Sequence, residues 1–109
     1  MKIEIGDYKG LTVIALSGEI DMYSSPELRE EMMTLIKQKI SPVFVNLKDV
    51  TYIDSSGIAT FVEGLKIMMR YSGSLKFISI PEGIMEIFNF SKLDKVFEIY
   101  RNIDDALGN

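Results

Sequence analysis

The 109-residue chain contains no cysteine, no histidine and no tryptophan. These absences exclude disulfide scaffolds, thiol redox chemistry, nucleophiles paired with histidine, and zinc sites built on Cys or His ligands. Any chemistry must come from Asp, Glu, Ser, Lys or Tyr. Basic charge is also scarce: 12 Lys and Arg stand against 16 Asp and Glu, a formal net charge of −4. Nucleic acid and anionic membrane surfaces both call for a basic footprint, so neither is expected as a partner. Long hydrophobic runs are missing too. Stretches such as Val13-Ile14-Ala15-Leu16 fall far short of the roughly 20 apolar residues of a membrane span. Met1-Lys2-Ile3-Glu4-Ile5 has neither the apolar core nor the cleavage site of a signal peptide. The expectation is a soluble, cytoplasmic protein with no metal site and no cofactor.

What is present is the composition of one ordinary globular domain, 47% hydrophobic and 26% charged. A chain of this size buries about two thirds of its unfolded surface, enough for a core without covalent staples. Ile3 and Ile5 alternate with Lys2 and Glu4, Gly6-Asp7-Tyr8-Lys9-Gly10 supplies turn chemistry, and Leu11 to Leu16 reads as a second strand. Ser24-Ser25-Pro26-Glu27 is a helix start with a serine cap, and Leu28, Met32, Leu35, Ile36 and Ile40 follow at helical spacing until Ser41-Pro42. Val43-Phe44-Val45-Asn46-Leu47 is the nearly continuous apolar run of a parallel strand buried on both faces. Asp54-Ser55-Ser56-Gly57 opens a second helix, with Ile58, Val62, Leu65 and Met69 along one predicted face. Leu75 to Ile80 makes another strand, and Pro81-Glu82-Gly83 leads into a helix carrying Ile84, Ile87 and Phe88. Val96 to Tyr100 reads as a last strand, and Asn102 caps a final short helix with Asp104 and Asp105 in its first turn. The order ββαβαβαβα predicts a single α/β domain: a mainly parallel sheet, an N-terminal antiparallel hairpin strand at its edge, and helices packed against it.

Two segments concentrate polar groups at the carboxyl edge of this sheet, where sites form in α/β folds. In the first, Asp54-Ser55-Ser56-Gly57, the acid and the serines are good capping residues. The free N–H groups of a helix start also suit a phosphate, so capping and function are compatible. A hydrolase elbow needs a histidine base, and a phosphate-binding loop needs Gly-x-x-x-x-Gly-Lys-Ser/Thr; neither occurs here. The chemistry left to this segment is a serine that receives a phosphate from another protein. The second segment, Ser17 to Leu28, brings Glu19 and Asp21 to the end of a strand, a pair that reads as solvated surface before it reads as a magnesium site. Of the adjacent methionines Met32-Met33 and Met68-Met69, one of each pair is expected in the core and the other is an interface candidate.

Taken together, these segments resemble a small STAS domain, specifically a bacterial anti-sigma factor antagonist. The resemblance spans Gly18-Glu19-Ile20-Asp21, Ser25-Pro26-Glu27-Leu28, Phe44-Val45-Asn46-Leu47 with Val50 and Ile53, and Asp54-Ser55-Ser56-Gly57, in that order. It implies a non-enzymatic regulator in partner switching. Such a protein binds an anti-sigma factor that is also a serine kinase, frees the sigma factor, and is inactivated when the kinase phosphorylates it. A phosphoserine phosphatase would reset the switch. The resemblance maps the phosphoacceptor onto Ser56, with Ser55 as the alternative, and the partner-binding positions onto Asp21, Asp54, Ser55, Ser56 and Gly57. After the motif glycine this chain has Ile58-Ala59 where the family often has Leu-Gly. Two other readings stand beside it: a module sensing a nucleotide or small ligand at the same junction, and, from the fold alone, an accessory STAS subunit of a lipid or anion transport system.

Overall fold

The computed structural model describes residues 1–108. Its strands are β1 (Lys2–Tyr8), β2 (Leu11–Ile20), β3 (Val43–Ile53), β4 (Leu75–Ile78) and β5 (Glu98–Tyr100). Its helices are α1 (Ser25–Lys37), α2 (Ser55–Met69), α3 (Glu82–Phe90) and α4 (Ile103–Ala106), with a 3-10 turn at Leu93–Lys95. The strands lie side by side in sequence order; β1 and β2 are antiparallel and every other pair is parallel. The α/β reading with an edge hairpin therefore holds. Lys9 and Gly10 both have positive φ (53° and 83°), the geometry of a two-residue turn whose twist matches a hairpin. The Asp7 carboxylate accepts the Gly10 N–H at 3.0 Å and closes it.

Side-chain alternation divides the sheet into two faces. Ile14, Leu16, Val43, Val45, Leu47, Leu75 and Phe77 face α1, α2 and α3 and form the main core with Leu28, Met32, Phe61, Met68, Ile84 and Phe88. Phe44 and Ile78 point the other way, where Ile103 of α4 covers them. Phe77 is the centre of the main core. Its ring meets Phe61 edge-on at 5.0 Å, Phe88 edge-on at 5.6 Å and Phe97 at 4.7 Å, arrangements that add to the burial of apolar area.

Several local expectations are revised: β2 runs past Leu16 to Ile20, and β4 stops at Ile78 rather than Ile80. β3 does not end at Leu47 but runs to Ile53. Beyond Asn46 it has lost β4 as a neighbour and pairs with β2 alone, so Lys48, Asp49, Thr51 and Tyr52 are exposed and the apolar run breaks up. The last strand starts at Glu98, because Val96 is exposed and Phe97 turns into the aromatic cluster. α1 stops at Lys37: Lys39 adopts φ 54°, and the Ile40 N–H bonds back to the Leu35 carbonyl, a left-handed closure that ends the helix before Pro42 is reached. The face of α2 also differs. Its buried residues are Gly57, Thr60, Phe61, Gly64 and Met68, whereas Ile58, Val62 and Leu65 are half-buried and Met69 is 64% exposed. Small residues let α2 approach its neighbours closely, and the Met32 side chain of α1 occupies the space where a side chain at Gly64 would stand. Met32 and Met68 fill the core while Met33 is half-buried and Met69 exposed, as the doublets implied.

Candidate functional site: the junction of two helix starts

Because β2 and β3 extend together past the rest of the sheet, they deliver the β2–α1 loop and the β3–α2 junction to the same place. The Asp54 N–H donates to the Ile20 carbonyl at 3.1 Å and ties the two ends together. Asp54 caps α2: one carboxylate oxygen accepts the Ser56 N–H at 2.9 Å and the Gly57 N–H at 3.2 Å. The same oxygen accepts the Ser56 hydroxyl at 2.5 Å, a short charge-assisted bond. The Ser56 hydroxyl bond is the main reason that the Asp54 carboxyl is held below its ordinary range. Partial burial opposes it, and the N–H groups of Gly57, Ser56 and Met22 assist. Asp54 is thus an ionised acceptor at neutral pH.

Gly57 is required by approach rather than by φ. A Cβ at this position would lie 2.7 Å from Ile20 Cγ2 and 2.9 Å from Ile53 Cγ1. The first turn of α2 therefore rests directly on the ends of both strands. Ser56 is half-buried there, while the neighbouring Ser55 is exposed and heads a shallow groove along α2 lined by Ile58, Val62 and Lys66.

Asp21 reaches the junction through its backbone. Its carboxylate folds onto its own loop, accepting the N–H groups of Tyr23 and Ser24, both at 3.0 Å. Its carbonyl oxygen accepts the Ser25 hydroxyl at 2.6 Å, and the Ser25 and Ser56 hydroxyl oxygens lie 2.9 Å apart. Ser24 holds the N-cap position of α1 as the sequence implied, but its side chain caps nothing. Its oxygen accepts the Asp21 N–H at 2.9 Å and its hydroxyl donates to the Glu19 carbonyl at 3.0 Å, so it braces the loop instead. Glu19 is exposed, and among the described residues no group of three or more Asp or Glu side chains is placed to hold a metal ion. Among the same residues no helix is long and apolar enough to cross a membrane.

Reading by motif missed two features. Ser25, only 6% exposed, connects the two helix starts; its partner lies 31 residues away, and no local pattern announces such a contact. Met22, Tyr23 and Tyr52 are exposed at the strand ends beside the junction (66%, 88% and 47%). Their signal was two large apolar residues in the middle of a polar loop. A separate groove of about 450 Å³ between β1 and α4, lined by Ile5, Tyr8, Val13 and Ile78, contains none of the junction residues.

The STAS domain family matches residues 2–106 of this chain. Among curated proteins, the chain is 36% identical over 86 residues to an anti-sigma-B factor antagonist of Bacillus subtilis, covering 79% of this chain and 78% of that protein. It is 26% identical over 108 residues to an anti-sigma F factor antagonist of Paenibacillus polymyxa, covering 98% and 92%. Among solved structures, an anti-sigma factor antagonist from Mycobacterium paratuberculosis superposes with a TM-score of 0.86 at 23% identity, covering 98% of this chain and 91% of that one. The Bacillus protein SpoIIAA in its phosphorylated form superposes at 0.73 with 19% identity, covering 96% of each chain.

Proposed function

The chain belongs to the STAS domain family, and from that premise we propose that it is an anti-sigma factor antagonist switched by phosphorylation of Ser56. It binds an anti-sigma factor that is also a serine kinase and thereby frees a sigma factor. It is a regulatory binding protein of the cytoplasm and performs no catalysis itself. The names of its relatives in Bacillus and Paenibacillus support the antagonist reading. The observation that carries the choice of Ser56 is its hydroxyl, bonded at 2.5 Å to an ionised Asp54 on an edge open to a partner.

In the transfer, Ser56 Oγ attacks the γ-phosphorus of ATP held by the kinase. The new O–P bond forms as the bond to ADP breaks, and the hydroxyl proton departs on the Asp54 side, where it already points. Ser55 is more accessible, but among the described residues its hydroxyl has no carboxylate partner. The phosphate adds about 1.5 to 2 negative charges at one point. Asp54 keeps the N–H groups of Ser56 and Gly57 capped, so the fold tolerates the modification and the charge acts on the partner. A penalty of about 3 kcal/mol weakens binding more than a hundredfold. The docking face comprises Asp21, Asp54, Ser55, Ser56 and Gly57 with the start of α2, and a phosphoserine phosphatase restores the binding form. SpoIIAA, solved in unphosphorylated and phosphorylated forms, offers a precedent of the same fold.

The test is incubation with ATP and the serine kinase of the cognate sigma system. Ser56→Ala should abolish phosphate incorporation and keep kinase binding, while Ser55→Ala should incorporate phosphate. Unchanged incorporation in Ser56→Ala removes Ser56 from the role.

A further inference from the structure

Four oxygens form a row at the junction: Asp54 Oδ1, Ser56 Oγ, Ser25 Oγ and the Asp21 carbonyl oxygen. Their successive separations are 2.5, 2.9 and 2.6 Å. Two hydroxyl protons serve these three contacts. The Ser56 proton belongs to the first, since an ionised carboxylate and a bare oxygen would repel at 2.5 Å. The Ser25 proton is left with two acceptors, the Asp21 carbonyl and Ser56 Oγ. That carbonyl does not depend on it, because the backbone N–H groups of Ser25 and Ser24 already supply it at 2.8 and 3.2 Å. Ser25 is 6% exposed, at the start of α1 with Pro26 next to it, so its oxygen cannot swing out to water.

We propose that Ser25 is a positioning residue of the switch: it fixes Ser56 Oγ against Asp54 and donates its proton to that oxygen once Ser56 is phosphorylated. The inference rests on Ser56 being the acceptor. Phosphorylation exchanges the Ser56 proton for phosphorus, so the ester oxygen can no longer donate and its remaining lone pair faces Ser25. The Ser25 proton then turns to the ester oxygen; the Asp21 carbonyl keeps the N–H groups of Ser24 and Ser25, and Asp54, released from the lost hydroxyl proton, keeps those of Ser56 and Gly57. Donation to the ester oxygen draws electron density from the phosphate and favours its dianion. Ser25→Ala removes this donor and leaves the Asp54 cap of α2 intact.

Phosphoserine can be installed at position 56 during synthesis, without a kinase, and its phosphate titrated by phosphorus NMR. With Ser25 present, the second phosphate pKa should lie lower than in Ser25→Ala by about half a pH unit or more. Ser25→Thr, which keeps the hydroxyl, should restore the lower value. Asp54 and Asp21 are common to all three proteins, so the difference isolates Ser25. Curves that coincide to within about 0.2 unit, or a rise in Ser25→Ala that Ser25→Thr fails to reverse, overturn the proposal. The same phosphorylated protein separates the two readings. If it still binds the kinase as tightly as the unmodified protein, the assignment of Ser56 fails, whereas the titration comparison judges Ser25 alone.

Discussion

α2 joins two regions that are held together by opposite means. A turn beyond its start, Phe61 enters a fully buried aromatic group around Phe77, where no polar atom takes part and the gain comes from apolar area and ring geometry. At its first turn, Asp54, Ser56 and Ser25 are linked by hydrogen bonds that are part-buried and open to solvent on one side. The first region resists change because every atom has a packed neighbour. The second can accept a new group because its partners are directional and one side is free. The difference assigns stability to one region and switching to the other, on a single rigid element that keeps them in register.

The sharpest way to break this division is at Phe77. Phe77→Ala should cost about 3 to 5 kcal/mol, a large part of the 5 to 15 kcal/mol typical of a domain. Urea unfolding followed by circular dichroism measures it, and the fraction that remains folded should still accept phosphate on Ser56. A loss under about 1 kcal/mol would mean that the cluster does not dominate the core. Gly57→Ala probes the seam between the regions. Its Cβ would stand 2.7 Å from Ile20 Cγ2 and 2.9 Å from Ile53 Cγ1, so α2 must lift. Overpacking of this kind costs about 1 to 3 kcal/mol. Here stability and phosphorylation rate should fall together, which neither region alone predicts.

The two regions were unequally legible in the sequence. Each strand and helix announced itself through local patterns, and the caps at Asp54 and Asn102 stand where those residue types imply; the Asn102 side chain accepts the Asp105 N–H at 2.8 Å. The face of α2 was misjudged because apolar residues occur almost all around it. Burial was decided instead by the small residues Gly57 and Gly64, which periodicity counts as neutral. Asp54-Ser55-Ser56-Gly57 was visible as a motif, yet the separation of exposed Ser55 from bonded Ser56 requires the direction of the helix relative to β2. Ser24 looked like a cap because serine prefers that position, but the β2–α1 loop used its hydroxyl for closure and left the capping geometry unfilled. Ser25 was hidden for a different reason, since its role comes from a partner on another helix.

The smallest expected change in stability is that of Asp54→Asn, and it sharpens the comparison most. Asparagine caps a helix about as well as aspartate, so stability at neutral pH should hardly move. The charge is what differs. Asp54 titrates below its ordinary value of 3.8 in the folded protein, so its stabilising contribution is fully present above that value and is lost as pH falls through the lower folded value. Thermal unfolding of the parent should therefore weaken with acid more steeply than that of Asp54→Asn, and the gap should close above pH 5. At neutral pH, phosphate transfer to Ser56 should slow markedly, because the amide oxygen is a weaker acceptor for the departing hydroxyl proton. A slower transfer in a protein of unchanged stability would place the role of Asp54 in its charge. Unchanged transfer would reduce Asp54 to a cap and leave the polar junction differing from the aromatic core only in composition.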